Sequence, residues 1–152
     1  ADDVSFTAEV ADDLGPIRAD REQLVQLLLN LVQNGVDAAR TAHPGGGGTV
    51  RVAVVPRDDG EDGVLLRVVD DGPGIPEPLR ERVFEPYVTT KPGGTGLGLA
   101  IAFRIAADHG GRLGAHPGEG GEGTELRLVL PRVAPAAPVS STETVVPLVQ
   151  RR

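Results

Sequence analysis

Three polar side chains suited to metal and nucleotide chemistry recur along one stretch of the sequence. Asn30, Asn34 and Asp37 stand three and four residues apart in NLVQNGVDAA. On a helix that advances about 100° per residue, this spacing places them on one stripe beside the apolar face. Asparagine oxygen is a hard, neutral ligand, and Mg²⁺ prefers few protein ligands together with phosphate and water. We therefore predict Asn34 as a Mg²⁺ ligand; the alternative is the solvated face of an ordinary amphipathic helix.

A carboxylate, Asp70, ends the apolar run VLLRVVD. The period-2 alternation of a strand puts it on the same face as Val64 and Val68. A buried carboxylate is costly unless it is hydrogen-bonded or reached by a ligand. Gly72 and Gly74 follow, and glycines allow the backbone to approach a ligand closely. The pattern is compatible with a ligand-binding turn and with a purely structural one.

Glycine-rich sequence precedes the second predicted helix. Gly94, Gly96 and Gly98 lie in GGTGLGLA, with Thr95 between them. Free N–H groups and the helix dipole at such a start attract anions, so phosphate groups are expected there, with the Thr95 hydroxyl as an additional donor. A second stretch, GEGGEGTEL, reaches Thr124. It is compatible with a glycine box or with a hairpin turn.

The order and spacing of these motifs resemble the ATP-binding domain of sensor histidine kinases. The motifs are QLLLNLVQNGVDAA, VVDDGPGIP and TTKPGGTGLGLAI. The resemblance extends to the superfamily shared with DNA gyrase, heat-shock chaperones and mismatch-repair ATPases. Glycine accounts for 21 of 152 residues, so one glycine motif alone would be weak evidence, whereas three in order are specific. NLVQNGVDAA and FEPYVTTKPGGTGLGLAI look most like kinases of the nitrogen-regulation type.

The resemblance implies roles for particular residues. It supports Asn34 as the magnesium ligand and implies that Asp70 accepts the adenine amino proton, which selects adenine over guanine. Where Asn30 stands, hydrolysing members of the superfamily carry a glutamate general base. Asparagine cannot accept a proton in that way, so Asn30 is predicted as a catalytic residue that favours phosphoryl transfer to an external nucleophile. Lys91 is predicted to contact phosphate or to be solvated.

The predicted nucleotide-binding residues form one set drawn from all the motifs. They are Asn30, Asn34, Asp37, Asp70, Gly72, Gly74, Ile75, Lys91, Gly94, Thr95, Gly96, Leu97, Gly98, Leu99 and Thr124. The sequence departs from the family pattern at Asp71, where asparagine is frequent, and at Tyr87, which replaces a second phenylalanine beside Phe84. At position 71 a carboxylate therefore replaces the family's amide.

The strands and helices that must position these residues are predicted from the periodicity of apolar residues and from capping residues. Strands are predicted over 4–10, which reads as half-buried, and over 50–54, 64–70 and 126–130. Asp20 and Gln23 predict a capping box for a helix to about Arg40. A second helix is predicted from Thr95 to His109, with an apolar stripe of Leu97, Ile101 and Ile105 and with Gly110-Gly111 as its stop.

Residues 76–93 are predicted to form a loop that acts as a mobile lid, with one short helix near residues 77–84. The predicted fold is an α+β, two-layer sandwich with a mixed sheet and helices on one face, and the resemblance implies the same Bergerat-type ATP-binding fold. Residues 1–131 are predicted as the catalytic domain. Residues 132–152 are predicted as a flexible, Pro/Ala/Ser-rich tail or linker, in which VVPLV at 145–149 could dock locally.

Composition excludes several classes of function. With 22 acidic against 15 basic residues, the net charge of -7 argues against nucleic acid and against direct contact with an anionic membrane. The chain has no cysteine, which excludes disulfides and thiolate catalysis and fits a cytoplasmic location. No run approaches the roughly 18 apolar residues of a membrane span. The chain reads as part of a longer kinase, which could itself be membrane-anchored.

The predicted activity is transfer of the ATP γ-phosphoryl group, with Mg²⁺, to a histidine on a dimerisation and phosphotransfer domain of the parent chain, upstream of a response regulator. His43, His109 and His116 lack the sequence context of a phosphoacceptor, so we predict loop and capping roles for them. Two alternatives remain: a serine protein kinase of the anti-sigma-factor type, and a nucleotide-sensing module without transfer activity.

Overall fold

The computed structural model describes residues 3–89, 94–132 and 143–147. Their helices and strands, in chain order, are β1 (Val4–Val10), β2 (Pro16–Asp20), α1 (Arg21–Ala42), β3 (Gly48–Pro56), β4 (Gly63–Asp70), α2 (Gly98–Asp108), β5 (Arg112–Pro117), β6 (Thr124–Pro131) and β7 (Glu143–Pro147).

Five strands form the main sheet in the order β1-β3-β4-β6-β5. Strand β1 runs parallel to β3, and the other neighbours are antiparallel, so the sheet is mixed. Helices α1 and α2 contact each other, and α1 packs on β3 and β4 while α2 packs on β5. The predicted two-layer α+β sandwich is confirmed.

Helix α1 begins and ends where local chemistry dictates. The Asp20 carboxylate accepts the backbone N–H of Gln23 at 3.1 Å, as expected of an N-cap. Its apolar stripe is buried at Leu27, Leu31, Gly35 and Ala39. The helix ends at Ala42, because His43 precedes Pro44 and a residue before proline disfavours the helical conformation.

Helix α2 differs from its prediction in its start and in its buried face. It begins at Gly98 rather than Thr95, and the expected stripe of Leu97, Ile101 and Ile105 is wrong, since Ile101 is 44% exposed. The buried residues are Ala102, Ile105 and Ala106. The predicted stop at Gly110-Gly111 is confirmed as a Schellman motif: Gly110 has φ 73°, and the Gly111 N–H donates to the Ala106 carbonyl at 2.8 Å.

Alternation of apolar residues predicted side-chain burial correctly in β3 and wrongly in β1. In β3 the alternate residues Val50, Val52 and Val54 are buried as predicted. In β1 the predicted half-burial is wrong, because Phe6 is 53% exposed and only Val4 is partly buried. The reason is position, since β1 is an edge strand that the two helices barely cover. Strands β2 and β5 were not predicted.

Between β4 and α2 the single predicted helix is replaced by two 3₁₀ turns, Glu77–Leu79 and Arg82–Phe84. Within the tail, β7 pairs antiparallel with β2 and includes part of the segment expected to dock. The division at residue 131 stays a prediction. No helix among the described residues is both long and apolar enough to cross a bilayer.

Two of the three histidines have the predicted capping role. His43 and His109 are the C-cap residues of α1 and α2. His116 was expected in a loop but lies in β5, where it pairs with Glu125 of β6. That expectation is wrong because β5 has too little apolar alternation to be recognised as a strand.

Candidate nucleotide-binding site

A cavity of about 880 Å³ lies between α1, the segment after β4, the start of α2 and the β5–β6 connection. The structure brings most of the predicted site residues to its wall. The predicted residues in the lining are Asn30, Asn34, Asp37, Gly74, Ile75, Gly94, Thr95, Gly96, Gly98, Leu99 and Thr124. Motifs that are far apart in the sequence therefore meet at one place.

Two asparagines on the α1 wall have different surroundings. The Asn30 amide donates to the Gly98 carbonyl at 3.1 Å and accepts from the Gln26 amide at 2.9 Å. It thus ties α1 to the first residue of α2. The Asn34 side chain also lines the cavity, and no hydrogen bond joins it to another described residue. Its oxygen is therefore available to a ligand.

Asp37 belongs to a wider polar stripe than the sequence analysis recognised. Its carboxylate accepts from the Gln33 amide at 2.9 Å, and its backbone carbonyl accepts from the Thr41 hydroxyl at 2.9 Å. Gln33 and Thr41 lie four residues before and after Asp37, and both line the cavity. Helical periodicity alone could have found them.

The start of α2 forms part of the cavity wall. Its N-cap residue, Leu97, makes no side-chain capping hydrogen bond, so among the described residues the first N–H groups of α2 lack the partner that a cap residue would supply. Gly98 and Leu99 stand in the wall, whereas Leu97 is not in the lining. The Thr95 hydroxyl accepts the Leu97 N–H at 3.3 Å, and since a hydroxyl can accept and donate at once, its predicted donor role stays a prediction. Such a helix start is suited to phosphate binding.

Gly96 fixes the segment before α2 against the turn at Tyr87. A Cβ on Gly96 would lie 2.5 Å from the Tyr87 carbonyl carbon, and Gly96 has φ 73°. The Tyr87 N–H donates to the Gly96 carbonyl at 3.0 Å. Only glycine satisfies both the conformation and the close approach.

Asp70 lies beside the cavity rather than in its lining. It is 3% exposed, and its carboxylate accepts the Gly72 N–H at 2.8 Å. Its register partner in β6, Thr124, does line the cavity. Gly72 was expected to approach the base, but it is buried against α1, where a Cβ would lie 2.6 Å from that of Ala38. Gly74, with φ 83°, forms part of the wall.

The carboxylate of Asp71 turns toward the loop that follows α1 rather than toward the cavity. It accepts the Thr49 N–H at 2.9 Å and lies 3.2 Å from His43 Nε2. Asp71 is absent from the cavity lining. The departure from the family pattern at this position therefore concerns the loop between α1 and β3.

The GEGGEGTEL segment forms the hairpin connection that was one of the two structures considered for it, and its role as a glycine box stays a prediction. It connects the antiparallel strands β5 and β6, and its Gly121, Gly123 and Thr124 line the cavity. Gly123 has φ 71°, and a Cβ there would lie 2.0 Å from the Asp70 carbonyl oxygen. The hairpin thus closes tightly over the end of β4.

Arg80 is a cavity residue that the sequence analysis missed. Its Nε donates to the Ile75 carbonyl at 3.3 Å, and it is the one cationic residue in the described lining. Lys91, the predicted cation, lies outside the described residues. A single charged residue in a segment of mixed charge carries no periodic signal that would have singled out Arg80.

The oxygen donors in the cavity fit Mg²⁺ better than a metal held by protein alone. Among the described residues, no group of three or more histidine, aspartate or glutamate side chains is placed to hold a metal ion. The amide oxygen of Asn34 and the carboxylate of Asp37 are hard donors in one wall. Mg²⁺ favours a small number of protein ligands together with phosphate oxygens, and this wall adjoins a helix start that is suited to phosphate.

Comparison with known proteins defines the class. Residues 19–134 match the family described as "Histidine kinase-, DNA gyrase B-, and HSP90-like ATPase". The chain belongs to this family.

Within the family the similar proteins are sensor kinases. The chain is 37% identical over 142 residues to the nitrogen regulation protein NtrY of Azorhizobium caulinodans, covering 93% of this chain and 18% of NtrY. It is 38% identical over 130 residues to the signal transduction histidine-protein kinase AtoS of Escherichia coli, covering 84% of this chain and 20% of AtoS. The chain thus spans about a fifth of the length of these relatives.

Solved structures agree. The nucleotide-free catalytic domain of histidine kinase ThkA superposes with a TM-score of 0.72 at 33% identity, over 86% of this chain and 80% of that domain. Full-length ShkA in complex with AMPPNP superposes with a TM-score of 0.71 at 36% identity, over 90% of this chain and 27% of ShkA. The chain therefore has the fold of a histidine kinase catalytic domain, and the expected resemblance to nitrogen-regulation kinases is confirmed.

Proposed function

We propose that this chain binds ATP with Mg²⁺ and presents the γ-phosphoryl group to a histidine on a separate dimerisation domain of its parent protein. The observation that carries the proposal is the meeting of Asn34 and the uncapped start of α2 at one cavity. A downstream response regulator would receive the phosphoryl group next. In support, a solved complex pairs histidine kinase ThkA with its response regulator TrrA.

The residues would act mainly by positioning. The N–H groups at the start of α2 would bind phosphate oxygens, and Asn34 would hold Mg²⁺, which neutralises phosphate charge when bound. Asn30 would keep α1 and α2 in register through the Gly98 carbonyl. Because its amide cannot accept a proton, no residue at this position would activate water, which favours transfer to a histidine nitrogen.

Asp70 would select the base. Its carboxylate, fixed by the Gly72 N–H, would accept the amino proton of adenine. Guanine carries an acceptor at the corresponding ring position, so a carboxylate there would repel it. ATP should therefore be preferred over GTP.

Calorimetric titration with ATP and GTP, with and without Mg²⁺, tests the proposal. We expect Mg²⁺-dependent ATP binding, weak or absent GTP binding, and at least tenfold weaker ATP binding by Asp70→Asn, since a lost hydrogen bond to a charged group is worth about 1.5–3 kcal/mol. Asp71→Asn is the matched control, because that neighbouring carboxylate faces Thr49. A folded chain that binds no ATP, or equal losses in the two variants, would contradict the assigned site.

Transfer is tested separately from binding. The chain is mixed with the dimerisation domain of its parent kinase and radiolabelled ATP, and acid-labile label on that domain is measured. Label that disappears when the acceptor histidine is replaced would support a histidine kinase. Binding of ATP without any transfer would instead favour the nucleotide-sensing alternative.

A further inference from the structure

His109 is a buried imidazole that the proposed reaction does not use. It follows the last residue of α2 and is 9% exposed. Its Nδ1 donates to the Ile105 carbonyl at 2.8 Å, while its Nε2 accepts the backbone N–H of Asp20 at 3.0 Å. With one nitrogen a donor and the other an acceptor, the ring must be neutral and protonated at Nδ1.

The contact replaces half of the predicted capping box. In a complete box the side chain at the third helical position returns to the N–H of the N-cap residue. Here the Asp20 carboxylate accepts from Gln23 as expected, but the Asp20 N–H donates to His109, 89 residues away. The start of α1 is thereby fastened to the end of α2.

A second hydrogen bond joins the same two helices at the start of α2. The Asn30 amide donates to the carbonyl of Gly98, the first residue of α2. The two contacts thus lie at opposite ends of α2. Both helices contribute residues to the cavity wall, so contacts that join the two helices also bear on the shape of the site.

We propose that His109 is a positioning residue for the nucleotide site and that its protonation loosens α1 from α2 and weakens nucleotide binding; this inference rests on the proposed function. A protonated imidazole has donors on both nitrogens, so Nε2–H would face the Asp20 N–H and the hydrogen bond would be lost. Histidine is the side chain that ordinarily changes charge between pH 5 and 8.

The elements that meet near the imidazole carry charged residues of both signs. Among residues whose side chains are described, these are Arg18, Asp20, Arg21, Glu22, Arg104, Asp108 and Arg112.

The first test compares ATP affinities at pH 8 and pH 6, at saturating Mg²⁺, for the unaltered chain and for His109→Gln. A glutamine oxygen can accept the Asp20 N–H but takes up no proton. Between pH 8 and pH 6, the ATP affinity of the unaltered chain should fall about three- to tenfold more than that of His109→Gln. This difference corresponds to the free energy of about one hydrogen bond. His116→Gln, altered at an exposed histidine, should follow the unaltered chain. Protonation of ATP itself affects all three proteins equally.

Equal falls in the unaltered chain and His109→Gln would overturn this inference and leave the proposed function standing. A second measurement needs no nucleotide and no variant. In the ¹⁵N-labelled chain, the Asp20 amide resonance should shift and lose exchange protection along the same pH curve as the His109 ring nitrogens. An Asp20 amide that is unchanged while His109 becomes protonated would overturn the inference even if ATP binding itself failed.

Discussion

The two faces of the main sheet each bury a carboxylate at the same end of β4 and β6. Asp70 lies on the face covered by the helices, and Glu125, the register partner of Val69, lies on the opposite face. Both are almost inaccessible, at 3% and 4%. Glu125 accepts from Nε of Arg67 at 2.6 Å and from Nε of Arg127 at 2.7 Å, whereas Asp70 accepts the backbone N–H of Gly72.

The difference separates a carboxylate held by two arginines on one face from the carboxylate proposed to bind adenine on the other. Burial raises the pKa of Glu125, but the hydrogen bonds and charges of Arg67 and Arg127 outweigh burial and hold that pKa below its ordinary range. Glu125 is therefore an ionised structural group. Asp70 stands beside the cavity. Because a carboxylate has about four acceptor positions, the Asp70 carboxylate can accept a hydrogen bond from a ligand in addition to the one from the Gly72 N–H.

Replacing Gly72 by alanine should have the largest effect, because it disturbs the packing of the cavity face of the sheet against α1. The new Cβ would lie 2.6 Å from the Ala38 Cβ and 2.7 Å from the Ala38 carbonyl. Overpacking costs about 1–3 kcal/mol, and contact with helix backbone puts this case near 3 kcal/mol. Urea unfolding measures the loss, and ATP affinity should fall with it.

Gly35→Ala is the matched control on the same interface. Its Cβ would lie 3.5 Å from the Val50 methyl groups and 3.7 Å from the Asp70 Cβ, which are ordinary contacts. Alanine also gains up to about 1 kcal/mol over glycine inside a helix. We expect unchanged or slightly increased stability, and a loss equal to that of Gly72→Ala would contradict the role given to Gly72.

Glu125→Gln tests the opposite face of the sheet. It leaves Arg67 and Arg127 without their shared charge and should lower the free energy of unfolding by about 2 kcal/mol, within the range for hydrogen bonds to charged groups. ATP affinity should not change. Glu119→Gln, which removes an exposed pair with Arg51, should cost less than about 1 kcal/mol. A loss of ATP affinity in Glu125→Gln would contradict the separation of the two faces.

The same carboxylate predicts a dependence of stability on pH. The pKa of Glu125 is lower in the folded chain than the ordinary value near 4.3. Its contribution is therefore fully present above about pH 4.3 and is lost as the pH falls through the folded value. Unfolding curves of the unaltered chain and Glu125→Gln should accordingly converge at lower pH. Curves that stay equally far apart below pH 4 would show that the charge is not responsible.

The sequence predicted the elements whose signals are local. Asp20 marked the start of α1, Gly110 marked the end of α2, and alternation marked β3. Strand β5 escaped because its one large buried residue, Leu113, makes no alternating pattern. The long-range contacts of His109 and the burial of Gly72 against Ala38 depend on the packing of distant segments, so no local pattern predicts them.

The smallest effect is expected at Arg80, which is a candidate to bind phosphate on the cavity side of the sheet. Arg80 lines the cavity, whereas Arg82, two residues later, is exposed and lies 3.7 Å from Glu85. If Arg80 reaches a bound phosphate, Arg80→Ala should weaken ATP binding about fivefold, near 1 kcal/mol, while Arg82→Ala should leave it unchanged. Titration of both variants with ATP and with adenosine distinguishes the possibilities. A loss in Arg80→Ala that is equal for adenosine and ATP would show that Arg80 supports the Ile75 turn instead of a phosphate, because adenosine carries none.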